Sequence, residues 1–307
     1  MKGGYLQISF AWLFAIIVGA FILFLAIFIS VKIINTEEEV QTLEVGKEIG
    51  ILTNPLEMGF ESLKSTSFTI PTETRIFTEC NNEGNFGRQL IQISQKSFSK
   101  WTETENYVGF SNKYIFSENL EGKKFYLFSK QFSFPFKVAD LIYMTSDNYC
   151  FSDAPEEIKD ELESTNQDNF FTEDCPENSI EVCFENSCEI NVNYAMKYVE
   201  KKSEKMYFDG EPEMYGDALM YAAIFSGPEV YECQLKRLMQ RTKQLSEVYN
   251  EKSFIVAQKE CNSNLENDLN ELKNRAESLT SSTSLNSFSF VVDDLEKKND
   301  LAECRLW

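Results

Sequence analysis

The chain contains no histidine among its 307 residues. That absence excludes Ser-His-Asp and Cys-His nucleophile activation, histidine-ligated zinc or iron, and histidine proton shuttles. Phosphate-cradling loops of the GxxxxGKS/T or GxGxxG kind are missing, and so is a GxSxG nucleophile elbow. Basic residues are scarce: 29 Lys plus Arg stand against 49 Asp plus Glu, a net charge of −20. Phosphate backbones are bound by clustered cations, so nucleic acid is excluded as a partner. No Asn-x-Ser/Thr sequon occurs, which points to a prokaryotic rather than a eukaryotic cell surface. No motif implies a cofactor.

What is present first is an uncharged run, Phe10 to Ile29, reading FAWLFAIIVGAFILFLAIFI. Twenty residues at helical rise span about 30 Å, the thickness of a bilayer core. Backbone groups in lipid must bond internally, which selects a helix. A buried core helix would carry a polar face, and this run has none. A cleaved secretory signal would be shorter and followed by an Ala-x-Ala-like site, whereas the chain continues FISVKIINTEEE. The expectation is a retained single-pass anchor over residues 1–34, with the lipid bilayer as partner.

Orientation follows from the cysteines. Lys2 and Lys32 flank the run almost symmetrically, so the positive-inside rule is nearly balanced. Residues 35–307 hold all 49 acids, 27 of the 29 bases and all eight cysteines, Cys80, Cys150, Cys175, Cys183, Cys188, Cys233, Cys261 and Cys304, for a net charge of −22. An even number of cysteines spread through an acidic region implies disulfides and an oxidising compartment. Metal binding competes weakly: no CxxC occurs, and the tight pair Cys183 and Cys188 has no second pair to complete a four-thiolate site. The N-terminus is therefore expected in the cytoplasm and residues 35–307 outside the cell.

The first thirty residues resemble the class III signal of archaeal type IV pilins and archaellins. Lys2-Gly3-Gly4 precede Gln7-Ile8-Ser9-Phe10, and the apolar run begins at once. Tyr5 and Leu6 separate the glycines from Gln7, and Ala11 stands where the family carries Glu. The resemblance implies processing before Gln7, retention of the helix and neighbours in a filament. The rest of the chain looks like archaeal single-pass membrane proteins with large ectodomains.

The expected fold class is α+β: a transmembrane helix with a stalk, a mixed β-rich ectodomain and a C-terminal antiparallel helical hairpin. Val40 and Leu43 follow Ile33 and Ile34 at helical spacing, and Asn54-Pro55 stops the helix. Residues 35–66 thus read as helical stalk and linker. Residues 67–227 read as a disulfide-containing mixed sheet. Strand signals cover Phe68–Ile70, Arg75–Cys80, Gln89–Ser94, Tyr107–Phe110, Lys113–Ser117 and Lys124–Phe128, with turns at Asn81–Gly84 and Glu121–Lys123. Phe132, Phe134 and Phe136 alternate as on a half-buried strand. Two stretches, from Asp140 and from Asp217, each read as an apolar strand followed by a helix opening on Pro and Glu. Ser179 to Tyr194 reads as a β-hairpin turning near Glu185-Asn186, with Cys183 and Cys188 close across its strands, or each bonded instead to Cys175 or Cys233.

Residues 228–307 read as helices. Leu235, Leu238, Leu245 and Val248 share one stripe. Leu265, Leu269, Leu272, Ala276 and Leu279 continue it at spacings of four, three, four and three, and Leu285, Phe288, Val292, Leu295 and Leu301 follow a polar break. An antiparallel turn centred on residue 282 makes facing positions sum to about 564. Leu269 then faces Leu295, Leu272 faces Val292 and Ala276 faces Phe288, which puts Cys261 level with Cys304 for a disulfide.

Two functions of different class emerge. One is a structural or protein-interaction role at the cell surface, with an unknown protein partner or, in the pilin-like variant, filament neighbours. The other is a membrane-tethered exoenzyme using carboxylates, since glycosidase pairs obey no local spacing rule. The missing histidine and motifs favour the first, with no catalytic residue assigned.

Overall fold

The computed structural model describes residues 10–54, 63–97, 100–102, 107–208 and 217–307. Gln7 and the expected processing site lie outside them.

Helix α1 runs without a break from Phe10 to Leu52. Among the described residues it holds the one stretch long and apolar enough to cross a membrane, Trp12–Ser30, with mean hydropathy 3.0 and no residue of it buried. Its last turns behave differently. Gly46, Ile49, Gly50 and Thr53 are buried, and the helix packs there on strands β2 (Arg88–Ser97) and β4 (Val108–Phe110). The approach is close because two positions lack a side chain: a Cβ on Gly50 would come within 2.4 Å of the Phe110 ring, and one on Gly46 within 2.9 Å of Val108. Thr53 Oγ1 donates to the Gly50 carbonyl, and Asn54 Oδ1 accepts from the buried Lys113 ammonium at 2.7 Å. A cation at a helix C-terminus also suits the helix dipole.

The first sheet has the order β3-β2-β1-β6-β7-β5, with β4 also paired to β2. Its members are β1 (Leu63–Asn81), β3 (Lys100–Trp101), β5 (Ile115–Phe116), β6 (Leu120–Ser133) and β7 (Lys137–Thr145), besides β2 and β4. All pairs are antiparallel except β5 with β7. Alternation divides its faces. Ile115, Phe125, Leu127, Ile142 and Met144 join Ile49 of α1 in one core, while Phe116, Phe128, Tyr143 and Leu141 join the opposite, larger core.

The second sheet, β13-β12-β11-β10-β8-β9, comprises β8 (Tyr149–Ser152), β9 (Phe170–Phe171), β10 (Ile180–Cys183), β11 (Ile190–Asn193), β12 (Tyr198–Lys201) and β13 (Glu204–Tyr207). Helix α2 (Glu156–Ser164) connects β8 to β9. Helices α3 (Asp217–Phe225), α4 (Pro228–Ala257), α5 (Glu266–Ser278) and α6 (Ser289–Leu301) follow, with a 3₁₀ turn at Ser282–Ser287 before the last. One core cluster takes residues from Tyr114 to Leu306 and so joins both sheets to these helices.

Several expectations are corrected. The stretch from Asp217 is helix α3, not a strand. A short apolar run cannot be told apart by periodicity alone; here Ala, Leu and Met favour a helix. Ala218 to Phe225 are at most 1% exposed, because α3 lies against β6, β7, β12 and β13 and is apolar all round. Glu121–Lys123 is no turn but part of β6; Gly122 pairs with Thr74 beside a bulge in β1 between Thr69 and Thr74. That bulge contains Pro71, which has no N–H to give a ladder. Phe134 and Phe136 are not on a strand alternating with Phe132. They form the bend between β6 and β7, closed by the Phe134 N–H on the Phe136 carbonyl, with a cis Phe134-Pro135 bond.

The hairpin expected at Ser179–Tyr194 does not form either. β10 and β11 pair in parallel, and β10 pairs in parallel with β8 on its other side. The Cys183–Cys188 bond doubles the chain back after β10, and Asn191 fastens the Cys188 backbone with both atoms of its amide. The antiparallel partner of β11 is β12 instead, and β12 turns into β13 through Lys202 and Ser203, both at positive φ as such two-residue turns require. Of the helical stripes, Val248 is 58% exposed and Leu301 is 87% exposed, so neither belongs to the core.

One polar network sets how α4 sits on the first sheet. Arg237 is fully buried. It donates to the carbonyls of Phe86, Ser111 and Lys113 and to Gln234 Oε1, and it stacks on Tyr114 at 4.7 Å. Gln234 in turn bonds Gln89 Oε1 and the Ile115 carbonyl. One turn before Arg237, Cys233 is bonded to Cys80 at the end of β1.

Candidate functional site

Of the residues singled out from the sequence, all eight cysteines are paired and none is free. Cys261 bonds Cys304 with 5.9 Å between Cα atoms, and Cys183 bonds Cys188 at 6.0 Å. The other two links are Cys80–Cys233 and Cys150–Cys175, at 6.0 and 5.6 Å. All four lie in the usual span for a disulfide. Cys175 and Cys233 are therefore not partners of Cys183 or Cys188. Glu181 places a carboxylate oxygen within 4.8 Å of both Cys183 and Cys188 sulfurs. Those sulfurs are bonded to each other, and a metal is held by thiolates rather than by a disulfide.

A cleft of about 440 Å³ opens where the two sheets meet the start of α4. It is lined by Thr78 of β1, Ser117 and Glu118 beyond β5, Lys201 at the end of β12 and Glu229 in the first turn of α4. Lys201 points inward for a reason readable in its strand: Val199 and Lys201 are two apart and share the buried face of β12. Its ammonium bonds Glu118 Oε1 at 3.0 Å and the Ser226 carbonyl at 3.1 Å. Burial pulls its pKa below the ordinary lysine value, opposed by the neighbouring Glu118 charge. Ser117 Oγ is engaged by Thr78 Oγ1 at 2.8 Å. Among the described residues no hydrogen bond joins Ser117 to Lys201, so the two do not form a nucleophile–base pair. Lys201 instead ties β12 to the β5–β6 connection and to the C-terminal end of α3.

This lysine makes stability depend on alkaline pH with a definite sign. The folded chain holds the proton less tightly than the unfolded chain does. Unfolding therefore takes up a proton between the lowered pKa and the ordinary value of about 10.4, and stability rises with pH across that window. Lys201→Met is expected to keep the stem's packing and remove the rise. Denaturant unfolding at pH values from about 8 to 11 checks this; identical pH slopes in parent and variant would contradict it.

A second concavity, about 490 Å³, runs along α4 between the β1–β2 loop and the end of α5. Its floor carries amide and lysine side chains, Gln240 and Gln244 among them, which no sequence motif singles out. The loop at Asn82–Asn85 folds over the helix and accepts hydrogen bonds from both amides.

No known protein family matches this chain, and no curated protein and no solved structure is significantly similar to it.

Proposed function

We propose that this is a single-pass membrane protein of the cell surface that acts by contact, in a structural or protein-interaction role. The observation that carries this reading is helix α1. Its exposed apolar stretch Trp12–Ser30 continues without a break into the turns at Gly46 and Gly50 that are buried against the first sheet. From Ser30 to Gly46 the helix rises about 24 Å, so it would hold the body at a set height above the bilayer. The N-terminus is on the cytoplasmic side and residues 35–307 are outside, in keeping with four disulfides and no free thiol. The C-terminal helices form an antiparallel hairpin, a reading supported by Lys298 of α6 bonding Asp268 of α5 and by Arg275 reaching the Ser287 carbonyl.

A second reading, a pilin-like filament subunit processed before Gln7, is favoured by the same helix. Its C-terminal turns are seated on a sheet, while every side of its apolar half is free for neighbouring helices.

Protease added to intact cells is expected to digest the disulfide-tied body and leave the helix in the membrane. Full protection of residues 35–307 would overturn the orientation. Shearing the cells separates the two readings: a filament subunit leaves with the sheared, sedimenting fraction, and a plain anchor stays with the membrane. Intact mass of the extracted chain then reports whether Gln7 is its first residue.

A further inference from the structure

We propose that Glu181, Cys183 and Cys188 form a redox-gated zinc site, closed while the two sulfurs are bonded to each other and open to Zn²⁺ once a dithiol has reduced them. Among the described residues this is the one group of three or more Asp, Glu or Cys side chains whose donor atoms all lie within 4.8 Å of one another. Two sulfurs and a carboxylate oxygen are a ligand set for zinc, whereas Ca²⁺ and Mg²⁺ take oxygen ligands. Three protein ligands leave the fourth tetrahedral position to water.

The backbone gathers the three donors without help from the disulfide. Glu181 and Cys183 are two apart on β10 and share one face of it. Cys188 is returned to them by the turn before β11, whose pairing with β10 matches Val182 to Ile190 and Cys183 to Asn191. The Asn191 amide holds the Cys188 backbone twice, accepting from its N–H at 2.8 Å and donating to its carbonyl at 3.2 Å. The Cα atoms of the two cysteines are 6.0 Å apart. Zinc–sulfur bonds of about 2.3 Å set two tetrahedral thiolates about 3.8 Å apart. Side-chain rotation over that Cα spacing reaches such a separation.

Access and charge fit the same use. Cys188 is half-buried, and Glu181 and residues 185–187 are exposed, so a dithiol and a metal ion both reach the outer sulfur. One thiolate of the dithiol attacks that sulfur and forms a mixed disulfide, and its second thiol then releases it. Two electrons pass in all: the dithiol becomes a disulfide, and Cys183 and Cys188 become thiols. Zinc takes both as thiolates, with loss of two protons, and Glu181 adds its carboxylate. The bond spans five residues, the smallest separation among the four disulfides, so its opening relaxes the unfolded chain least. Residues 160–196 carry ten acidic side chains and no lysine or arginine, a local field that favours a cation. Among the described residues no basic group pairs with Glu181.

Neither topology nor filament assembly enters this proposal. The full chain in lipid nanodiscs would be reduced with dithiothreitol, freed of it without air, and titrated with Zn²⁺ and Co²⁺, with Mg²⁺ as a hard-cation probe. The reduced chain is expected to bind one Zn²⁺ that the oxidised chain does not, and Co²⁺ is expected to show the tetrahedral bands and charge transfer of two thiolates. Glu181→Gln is expected to weaken Zn²⁺ tenfold or more; the side chain is exposed, so the variant should fold. The double variant Cys183→Ser, Cys188→Ser, treated in the same way, is expected to lose the site. Zinc held equally by the oxidised chain, or preference for Mg²⁺, would overturn the thiolate ligands. Binding retained by the double serine variant would overturn the location, and an unchanged affinity and Co²⁺ spectrum in Glu181→Gln would overturn the third ligand.

Discussion

Replacing Arg237 by Met is expected to lower the unfolding free energy by about 3–5 kcal/mol, because four acceptors lose their donor at once. The guanidinium is completely buried, and all its acceptors are neutral: three backbone carbonyls, of Phe86, Ser111 and Lys113, and the Gln234 amide oxygen. Met can fill the space of the stem but cannot donate. Each buried acceptor left without a partner costs about 1–3 kcal/mol, and partial relaxation of the loops keeps the sum below the simple total. Arg237→Lys should recover little, because one ammonium cannot reach carbonyls spread around a planar fork. Urea unfolding of the full chain followed by tyrosine and tryptophan fluorescence measures the loss. A change below about 1 kcal/mol, within the range of ordinary surface substitutions, would show that α4 is not held by this network.

Removing the Cys80–Cys233 bond by a double alanine substitution is expected to cost about 5 kcal/mol, the largest effect among the four disulfides. Its two cysteines are 153 residues apart, against 43 for Cys261–Cys304, 25 for Cys150–Cys175 and 5 for Cys183–Cys188. In the chain-entropy model the restriction of the unfolded state grows with loop length, giving about 4, 3.5 and 2 kcal/mol for the other three. Denaturant midpoints of the four double variants should follow that order. A Cys183–Cys188 variant less stable than the Cys80–Cys233 variant would mean that native-state effects, not loop closure, dominate. Cys233 and Arg237 lie one turn apart on α4 and fasten the same helix to the same sheet. Their combined loss is therefore expected to fall short of additivity, since the second removal acts on a helix already loosened.

The parts of this molecule legible in its sequence are those that depend on neighbours close along the chain. Phe10 to Ile29 has no polar group to turn inward, and Trp12–Ser30 is indeed exposed on every side of a helix. Asn54-Pro55 announces the stop that the helix makes at Leu52. Spacings of four and three mark Leu269, Leu272, Ala276 and Leu295 as buried, and they are. The same helical arithmetic brings Cys261 level with Cys304, which the fold pairs.

Tertiary structure decided whatever depends on residues distant along the chain. Asp217–Phe225 is equally apolar read as strand or helix; its Ala, Leu and Met lean to a helix, and its enclosure between two sheets is what makes an all-round apolar helix favourable. The alternating runs flanking the polar turn at Glu185-Asn186 have the local chemistry of a hairpin, yet β10 pairs in parallel both with β11 and with β8, some thirty residues earlier. Lys201 becomes a buried ammonium because β12 turns that face to the core, where Glu118 and Ser226 meet it. Arg237 collects carbonyls from residues 86, 111 and 113, and Gln240 and Gln244 take theirs from residues 82 and 85. Periodicity along a segment reports which of its faces is apolar. It carries no information about which distant backbone will supply the partner, because that is set by loop closure and packing of the whole core.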